Sequence, residues 1–244
     1  MNNLNKMNRL HIILLIILFN SLIFDYLSFN TKKTALQFVN DMGIGYNLGN
    51  TFNCCNEIKE KDSEKEEIKL FGTTLPTKNL LKEIRKNGSK TIRFQVLYTD
   101  DIFNNNQINL EWIYKIKELI NLINNLNMYL ILCIYHTRKF WESESKNSED
   151  KYINFWKQIA NELIYYDEHL IFESMYEIGY LTYLGIYNYY DDKDYYLSQD
   201  FINIIRNSGG LNTERLLIVP MISSDYEIDL FSSDLDEYKI PKDP

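Results

Sequence analysis

The sequence predicts an α/β fold in which a parallel sheet is built from βα units. Five short apolar runs, each ending in polar residues, alternate along the chain with longer segments of helical periodicity. Such alternation is typical of parallel strands joined by right-handed helical crossovers. The chain has 244 residues, of which 45% are hydrophobic, and this is enough for one domain with a substantial core.

The predicted strands and helices follow one another in a regular order. Strands are expected at residues 42–51, 91–96 and 129–135, from residue 170, and at residues 215–220. Thr77 is expected to cap the first helix and Gly88 to end it, with an apolar face formed by Leu80, Leu81 and Ile84. Further amphipathic helices are expected at residues 110–123, from residue 148, and at residues 194–207.

Composition and charge exclude several classes of function. The net charge of −8 argues against nucleic acid as a partner, because phosphates require a basic surface. Three cysteines, two of them adjacent at Cys54 and Cys55, do not form a disulfide framework. Three histidines, with His11 inside the N-terminal apolar segment, do not provide a zinc ligand set. We therefore expect neither a metal nor a cofactor.

Residues 1–27 are predicted to be a signal peptide or an N-terminal anchor. Lys6 and Arg9 precede an unbroken apolar run at residues 12–19, which is the pattern of a secretory signal. The run is shorter than the roughly 20 residues that span a bilayer. No small-residue cleavage motif follows it, so an uncleaved anchor remains the alternative. We expect an extracellular protein without membrane association, unless this segment is retained.

One carboxylate stands out as a candidate catalytic group. Residues 170–172 form a short apolar run that leads into Glu173 and then Glu177. This pattern predicts a buried strand that delivers Glu177 to the loop at its carboxyl end, where barrels and doubly wound sheets carry their chemistry. A solvated loop carboxylate is the alternative, because isolated glutamates at strand ends are common.

Five collinear motifs resemble glycoside hydrolase family 5 cellulases. Residues 45–51 resemble the family's GWNLGNT, residues 91–96 its TIRIPV, residues 129–136 its YVILNIHH, and residues 170–178 its LIFETLNEP. Residues 207–220 resemble the family's segment around its fifth strand, and residues 239–243 the loop that precedes the sixth. The resemblance assigns residues 36–244 to a partial barrel domain of this family.

The resemblance implies a (β/α)8 barrel that hydrolyses β-1,4-linked glucans with retention of configuration. That reaction requires two carboxyl groups about 5–5.5 Å apart, one acting as acid/base and the other as nucleophile. Glu177 matches the acid/base, and Arg93 matches the arginine that holds the nucleophile and lowers its pKa. The remaining positions that the resemblance implies for substrate binding are Asn50, Tyr135, His136 and Tyr176.

Several positions depart from the family pattern. Tyr176 replaces the asparagine that binds the sugar 2-hydroxyl, Ile178 replaces the following proline, and Tyr135 replaces the first histidine of a pair of which His136 remains. Tyr46 replaces a tryptophan and keeps an aromatic ring. The glutamate nucleophile of the seventh strand has no counterpart in these 244 residues, and residues 221–244 contain no further strand-like run.

These departures predict an incomplete barrel of about five βα units that does not hydrolyse glucan by itself. Three interpretations follow from the sequence: an incomplete glucanase, a non-catalytic relative that binds sugar or a partner, or a non-functional gene fragment.

The N-terminal segment generates the first testable prediction. Residues 1–27 fused to a reporter enzyme should direct it into the culture medium, because a basic start and an apolar core are the features that secretion machinery reads. Comparing reporter activity in medium, membranes and lysate measures this. The control carries Leu14→Asp and Leu15→Asp, which interrupt the apolar run. A parent fusion that stays in the cytosol contradicts the prediction, whereas one that stays in the membrane supports the anchor.

Overall fold

The structure is a computed structural model that describes residues 33–48, 76–98, 102–135, 145–175, 193–219 and 241–244. The chain divides into two compact units, residues 1–41 and residues 42–244. Among the described residues, no helix has both the length and the apolar character that crossing a membrane requires. The predicted signal or anchor lies outside the described residues.

The first unit contributes most of helix α1, Ala35–Met42, which the sequence analysis did not predict. Its amino end is closed by a reciprocal pair of hydrogen bonds. The Gln37 backbone N–H donates to Thr34 Oγ1 at 3.3 Å, and the Thr34 N–H donates to Gln37 Oε1 at 2.7 Å. This is a capping box, in which a Thr and a Gln three residues later satisfy two backbone donors that the helix leaves unpaired.

Seven strands are present in the described part of the second unit. They are β1 (Gly45–Leu48), β2 (Thr91–Leu97), β3 (Phe103–Asn104), β4 (Gln107–Ile108), β5 (Tyr129–Tyr135), β6 (Leu170–Glu173) and β7 (Leu217–Ile218). Five of them form one parallel sheet in the order β1-β2-β5-β6-β7, and β3 and β4 form a separate antiparallel hairpin. The predicted parallel sheet is therefore confirmed.

Helices connect the parallel strands, and their boundaries lie close to the predicted ones. They are α2 (Lys78–Lys86), α3 (Leu110–Asn124), α4 (Ser145–Glu162) and α5 (Lys193–Asn207), followed by a 3-10 turn at Gly210–Thr213. Thr77 caps α2 as predicted, since its side chain accepts the Leu80 N–H at 3.2 Å. Leu80 itself is 46% exposed, so the prediction that it belongs to the buried face of α2 was wrong.

The hairpin β3–β4 was not predicted. Its two-residue turn places both Asn105 and Asn106 at positive φ, 49° and 59°. Turns of this kind match the twist of the flanking strands, and asparagine tolerates the left-handed conformation better than most residues with side chains. Gln158 of α4 fixes the hairpin, because its side chain accepts the Ile108 N–H at 3.0 Å and donates to the Asn106 carbonyl at 2.9 Å.

The parallel register aligns equivalent residues into rows across the sheet. One row crosses all five strands and faces the helices; it consists of Leu48, Phe94, Leu132, Phe172 and Leu217. The helices cover this row with large side chains. Trp156 of α4 is completely buried and has ring contacts with Phe172 at 5.6 Å and Phe201 of α5 at 4.6 Å. The main core of the unit therefore lies between the sheet and its helices.

A buried arginine joins the end of α4 to the sheet. The Arg215 guanidinium donates to the carbonyls of Leu163, Tyr166, Asp167 and Leu170 at 2.6–3.3 Å, and its Nε donates to Asn212 Oδ1 at 2.6 Å. These carbonyls include the unpaired acceptors that follow a helix end. The guanidinium also lies 4.8 Å from the Phe172 ring centroid. Burial lowers the pKa of Arg215 to about 10.

A contact of the Arg215 backbone explains why the fifth parallel strand begins later than predicted. The sequence predicts a strand at residues 215–220, but β7 covers only Leu217–Ile218. The backbone carbonyl of Arg215 accepts from Arg206 Nη1 at 2.9 Å, so this group is bonded to a side chain of α5. Residue 220 lies outside the described residues.

Replacing the buried arginine should destabilise this unit. Arg215→Lys keeps the charge but has at most three donors for five acceptors, and it lacks the planar fork. We expect the free energy of unfolding to fall by about 2 kcal/mol or more, the scale of hydrogen bonds to charged groups. Urea denaturation followed by circular dichroism measures the change. The matched control is Arg85→Lys at a partly exposed position of α2, for which a change of at most about 0.5 kcal/mol is expected.

Candidate active site

The face of the sheet turned away from the helices carries polar side chains, and we call it the polar face. Its residues alternate along the strands with those of the apolar row, as the two-residue period of a strand requires. The polar side chains that the polar face carries include Asn47 on β1, Arg93 and Gln95 on β2, Cys133 on β5 and Glu173 on β6, and Ile131 and Ile171 lie on the same face. Gln95 is buried with 6% exposure.

The strongest polar contact on this face is a bidentate ion pair. Arg93 Nε donates to Glu173 Oε2 at 2.7 Å, and Arg93 Nη2 donates to Glu173 Oε1 at 2.6 Å. The side chains are 21% and 12% exposed, so the pair is largely removed from water. Parallel charge-assisted bonds of this kind fix the orientation of a guanidinium as well as its position.

The buried thiol of Cys133 lies against this pair. Its Sγ accepts from Arg93 Nη2 at 3.2 Å, and Cys133 is directly opposite Glu173 in the register. Burial is the largest cause that raises the pKa of the Cys133 thiol well above its usual range. The negative charge of Glu173 raises it further, and the positive charge of Arg93 partly offsets both effects. The thiol is therefore protonated at neutral pH and is a poor nucleophile.

Arg93 also reaches the first strand. Its Nη1 donates to Asn47 Oδ1 at 3.4 Å, a longer contact than the two with Glu173. One guanidinium on β2 thus contacts side chains of β1, β5 and β6.

The structure places only part of the predicted site. Arg93 lies on the polar face, where its guanidinium binds Glu173, a residue to which the sequence analysis gave no role. Tyr135 ends β5, but its side chain is not described. The other predicted site residues lie outside the described residues: Asn50, His136, Tyr176 and Glu177.

Of the polar-face residues, only Arg93 was predicted from the sequence, and the residues that were missed include Glu173 and Cys133. The alternation of side chains along each strand could have indicated that both residues lie on this face, because residues two positions apart lie on the same face. Glu173 shares a face with Ile171, and Cys133 shares one with Ile131, so both point away from the apolar row. The sequence could not indicate that Arg93 reaches across β5 to Glu173, because that contact joins residues 80 positions apart.

A group of possible metal ligands lies at the amino end of β6. Ligand atoms of Asp167, Glu168 and His169 are within 4.8 Å of one another in the loop that enters β6. The contacts inside the group are those of a local turn: Asp167 Oδ1 accepts the His169 N–H at 3.0 Å and lies 3.2 Å from His169 Nδ1. His169 also stacks on Tyr129 at 4.7 Å. Turn formation accounts for this arrangement without an ion.

A parallel βα sheet with its helices on one face and an ion-paired polar face on the other is the architecture of a (β/α)8 barrel enzyme. Residues 49–243 match the sequence description of the cellulase family, glycosyl hydrolase family 5. The chain belongs to this family. The resemblance noted in the sequence is confirmed.

Individual relatives agree with this assignment. Endoglucanase A of Paenibacillus barcinonensis is 30% identical over 203 residues, which cover 77% of this chain and 48% of that protein. A broad-specificity GH5-4 endoglucanase from an uncultured bovine rumen ciliate has 34% identity and a TM-score of 0.70, covering 86% of this chain and 58% of its own. The chain spans about half the length of the curated relatives it matches.

A second similar structure holds a sugar. It is a mutant family 5 lichenase from Caldicellulosiruptor sp. F32 in complex with cellotetraose, with 29% identity and a TM-score of 0.68. The match covers 86% of this chain and 59% of that one. These structures confirm the barrel-type fold, of which the described residues contain five parallel strands.

The environment of Cys133 predicts an unreactive thiol. In a Cys54→Ser/Cys55→Ser variant, the remaining thiol should react with Ellman's reagent much more slowly in the folded chain than in urea. The raised pKa keeps the thiolate fraction small, so the folded-state rate should rise only above the usual pH range for a free thiol, near 8.5. A stopped-flow rate measured against pH tests this. Equal rates in the folded and unfolded chains would contradict it.

Proposed function

We propose that this chain forms the acid/base part of a glycoside hydrolase site for β-1,4-linked glucans, with cellulose or mixed-linkage glucan as the substrate class. The observation that carries the proposal is the ion-paired polar face of a family 5 sheet. Similar proteins named endoglucanase and lichenase support the substrate class. The cellotetraose held by one of these relatives supports a β-glucan as the ligand.

In this proposal Glu177 has the role of acid/base, because it matches that position of the family motif. A carboxylic acid there would protonate the glycosidic oxygen, and its carboxylate would then activate the water that releases the covalent intermediate. Arg93, whose guanidinium is oriented by Glu173, is the positive group expected near the second carboxyl. The proposal includes Asn50, Tyr135, His136 and Tyr176 as the residues that contact the sugar.

We further propose that the 244-residue polypeptide binds glucan but does not turn it over. Retaining hydrolysis requires a nucleophile as well as an acid/base, and the family's nucleophile has no counterpart in these residues. Tyr176 also replaces the asparagine whose hydrogen bond to the sugar 2-hydroxyl strengthens at the transition state. Turnover would need further strands that carry the second carboxyl.

A non-catalytic sugar-binding relative is the second candidate. The substitutions at Tyr135 and Tyr176 favour it, because tyrosine keeps an aromatic surface and a hydroxyl for sugar contact but changes the reacting polar groups. This candidate and the first differ in one outcome. Supplying the missing strands restores hydrolysis in the first and leaves only binding in the second.

Secretion is part of the proposal. The basic and apolar N-terminal pattern supports an extracellular location, and a polymeric glucan is a substrate that a cell meets outside its membrane.

Assays of the full chain test the proposed function. We expect binding of cellotetraose by calorimetry and no release of reducing sugar from carboxymethyl cellulose or lichenan. Turnover that is lost in Glu177→Gln would contradict the proposed inactivity, and absence of binding would contradict the substrate class. Glu168→Gln, an exposed glutamate on the loop before β6, is the matched control and should bind as the parent does.

A chimera tests the role of Glu177 directly. The chain is extended with the remaining strands of the rumen ciliate endoglucanase, which supplies the second carboxyl. We expect hydrolysis of lichenan that falls about 10²-fold or more in Glu177→Gln, the scale of general acid–base catalysis. The Glu168→Gln chimera should retain its activity. A folded chimera that binds but does not hydrolyse would favour the sugar-binding candidate.

A further inference from the structure

The Arg93–Glu173 ion pair joins two strands that are not neighbours in the sheet. Arg93 is on β2 and Glu173 is on β6, with β5 between them in the sheet. Neighbouring strands lie about 4.8 Å apart, so the two backbones are separated by about 10 Å. Both side chains must extend over β5 to meet, and Cys133 is the β5 residue that contacts Arg93 at 3.2 Å.

We propose that Glu173 and Cys133 are positioning residues that hold the Arg93 guanidinium in one orientation on the polar face. The inference rests on the proposed function, in which Arg93 acts beside the second carboxyl. It adds that Arg93 does so as one member of a three-residue unit, and that its charge is already balanced by Glu173.

The geometry of the pair explains why these residue types are required. Glu173 uses both carboxylate oxygens, each bonded to a different nitrogen of Arg93. Aspartate, one methylene shorter, would not span the same distance, and lysine at position 93 would lack the planar fork. Cys133 has a small side chain that leaves room above β5, and its sulfur accepts one guanidinium N–H. A leucine there would occupy the space of the guanidinium.

The thiol provides a reporter for this unit, because it accepts a hydrogen bond from Arg93 and lies opposite Glu173 in the register. Glu173 from β6 disfavours the thiolate, and Arg93 from β2 favours it. On the helix side of the sheet, the phenol of Tyr152 on α4 interacts electrostatically with Cys133. Burial raises the pKa of Tyr152 well above its usual value, so this phenol stays neutral.

The experiment uses the full chain with Cys54→Ser and Cys55→Ser, so that Cys133 is the remaining thiol. Ellman's reagent is reacted with Glu173→Gln and Arg93→Gln variants across a range of pH. We expect the two pH profiles to move in opposite directions: Glu173→Gln lowers the pH at which the thiol reacts, and Arg93→Gln raises it. A role in packing alone would loosen both variants and move both profiles the same way.

Two further variants guard against misfolding and non-specific effects. The double variant Arg93→Gln/Glu173→Gln replaces the ion pair by neutral amides, and its profile should return towards that of the parent because both charges are gone. Asp243→Asn removes the negative charge from a different bidentate ion pair, in which Asp243 binds Arg206 of α5. This control should leave the thiol profile unchanged. Profiles that shift in the same direction, or do not shift, would overturn the proposal.

Sugar binding supplies the second readout. Glu173→Gln and Cys133→Leu should weaken cellotetraose binding about tenfold, a change of about 1.4 kcal/mol, while Asp243→Asn should leave it unchanged. Parent affinity in folded Glu173→Gln would overturn the positioning role. Failure of the parent itself to bind would contradict the proposed function, and the thiol profiles would then decide the three-residue unit independently.

Discussion

Parallel register is the constraint on which the rest of this structure depends. Successive side chains of a strand point to opposite faces of the sheet, and the register places equivalent residues of neighbouring strands side by side. The alternation of apolar and polar residues along each strand therefore gives the sheet one apolar face and one polar face. The row from Leu48 to Leu217 is apolar on every strand and packs against the helices. The opposite face is thereby left for Arg93, Cys133 and Glu173.

The Arg93 guanidinium connects the polar side chains of this face. Neither charged member of its pair with Glu173 is fully buried, so neither bears the full cost of leaving water, yet both are shielded enough for the pair to be well ordered. The pair also bridges strands that are not neighbours. Arg93 therefore links the local geometry of β2 to the segment that leads from β6 towards the proposed acid/base.

Periodicity in the sequence was sufficient to predict the parallel sheet, the order of its strands along the chain and the positions of α3 and α4. It did not predict α1, whose short length gives few apolar repeats and whose signal is the Thr34–Gln37 capping pair. It also placed Arg215 in a strand, although that side chain satisfies carbonyls at the end of α4. Glu173 and Cys133 were missed on the polar face because contact with a partner across the sheet is a tertiary property that no local sequence pattern contains.

The asparagine turn of the β3–β4 hairpin has a consequence for how the sequence is able to change. Asn105, Asn106 and Asn127 all have positive φ, a conformation usually given to glycine, and the chain contains only nine glycines among 244 residues. Asparagine restricts the unfolded chain more than glycine does, so ordering these turns costs less conformational entropy. The fold therefore forms these tight turns without using glycine.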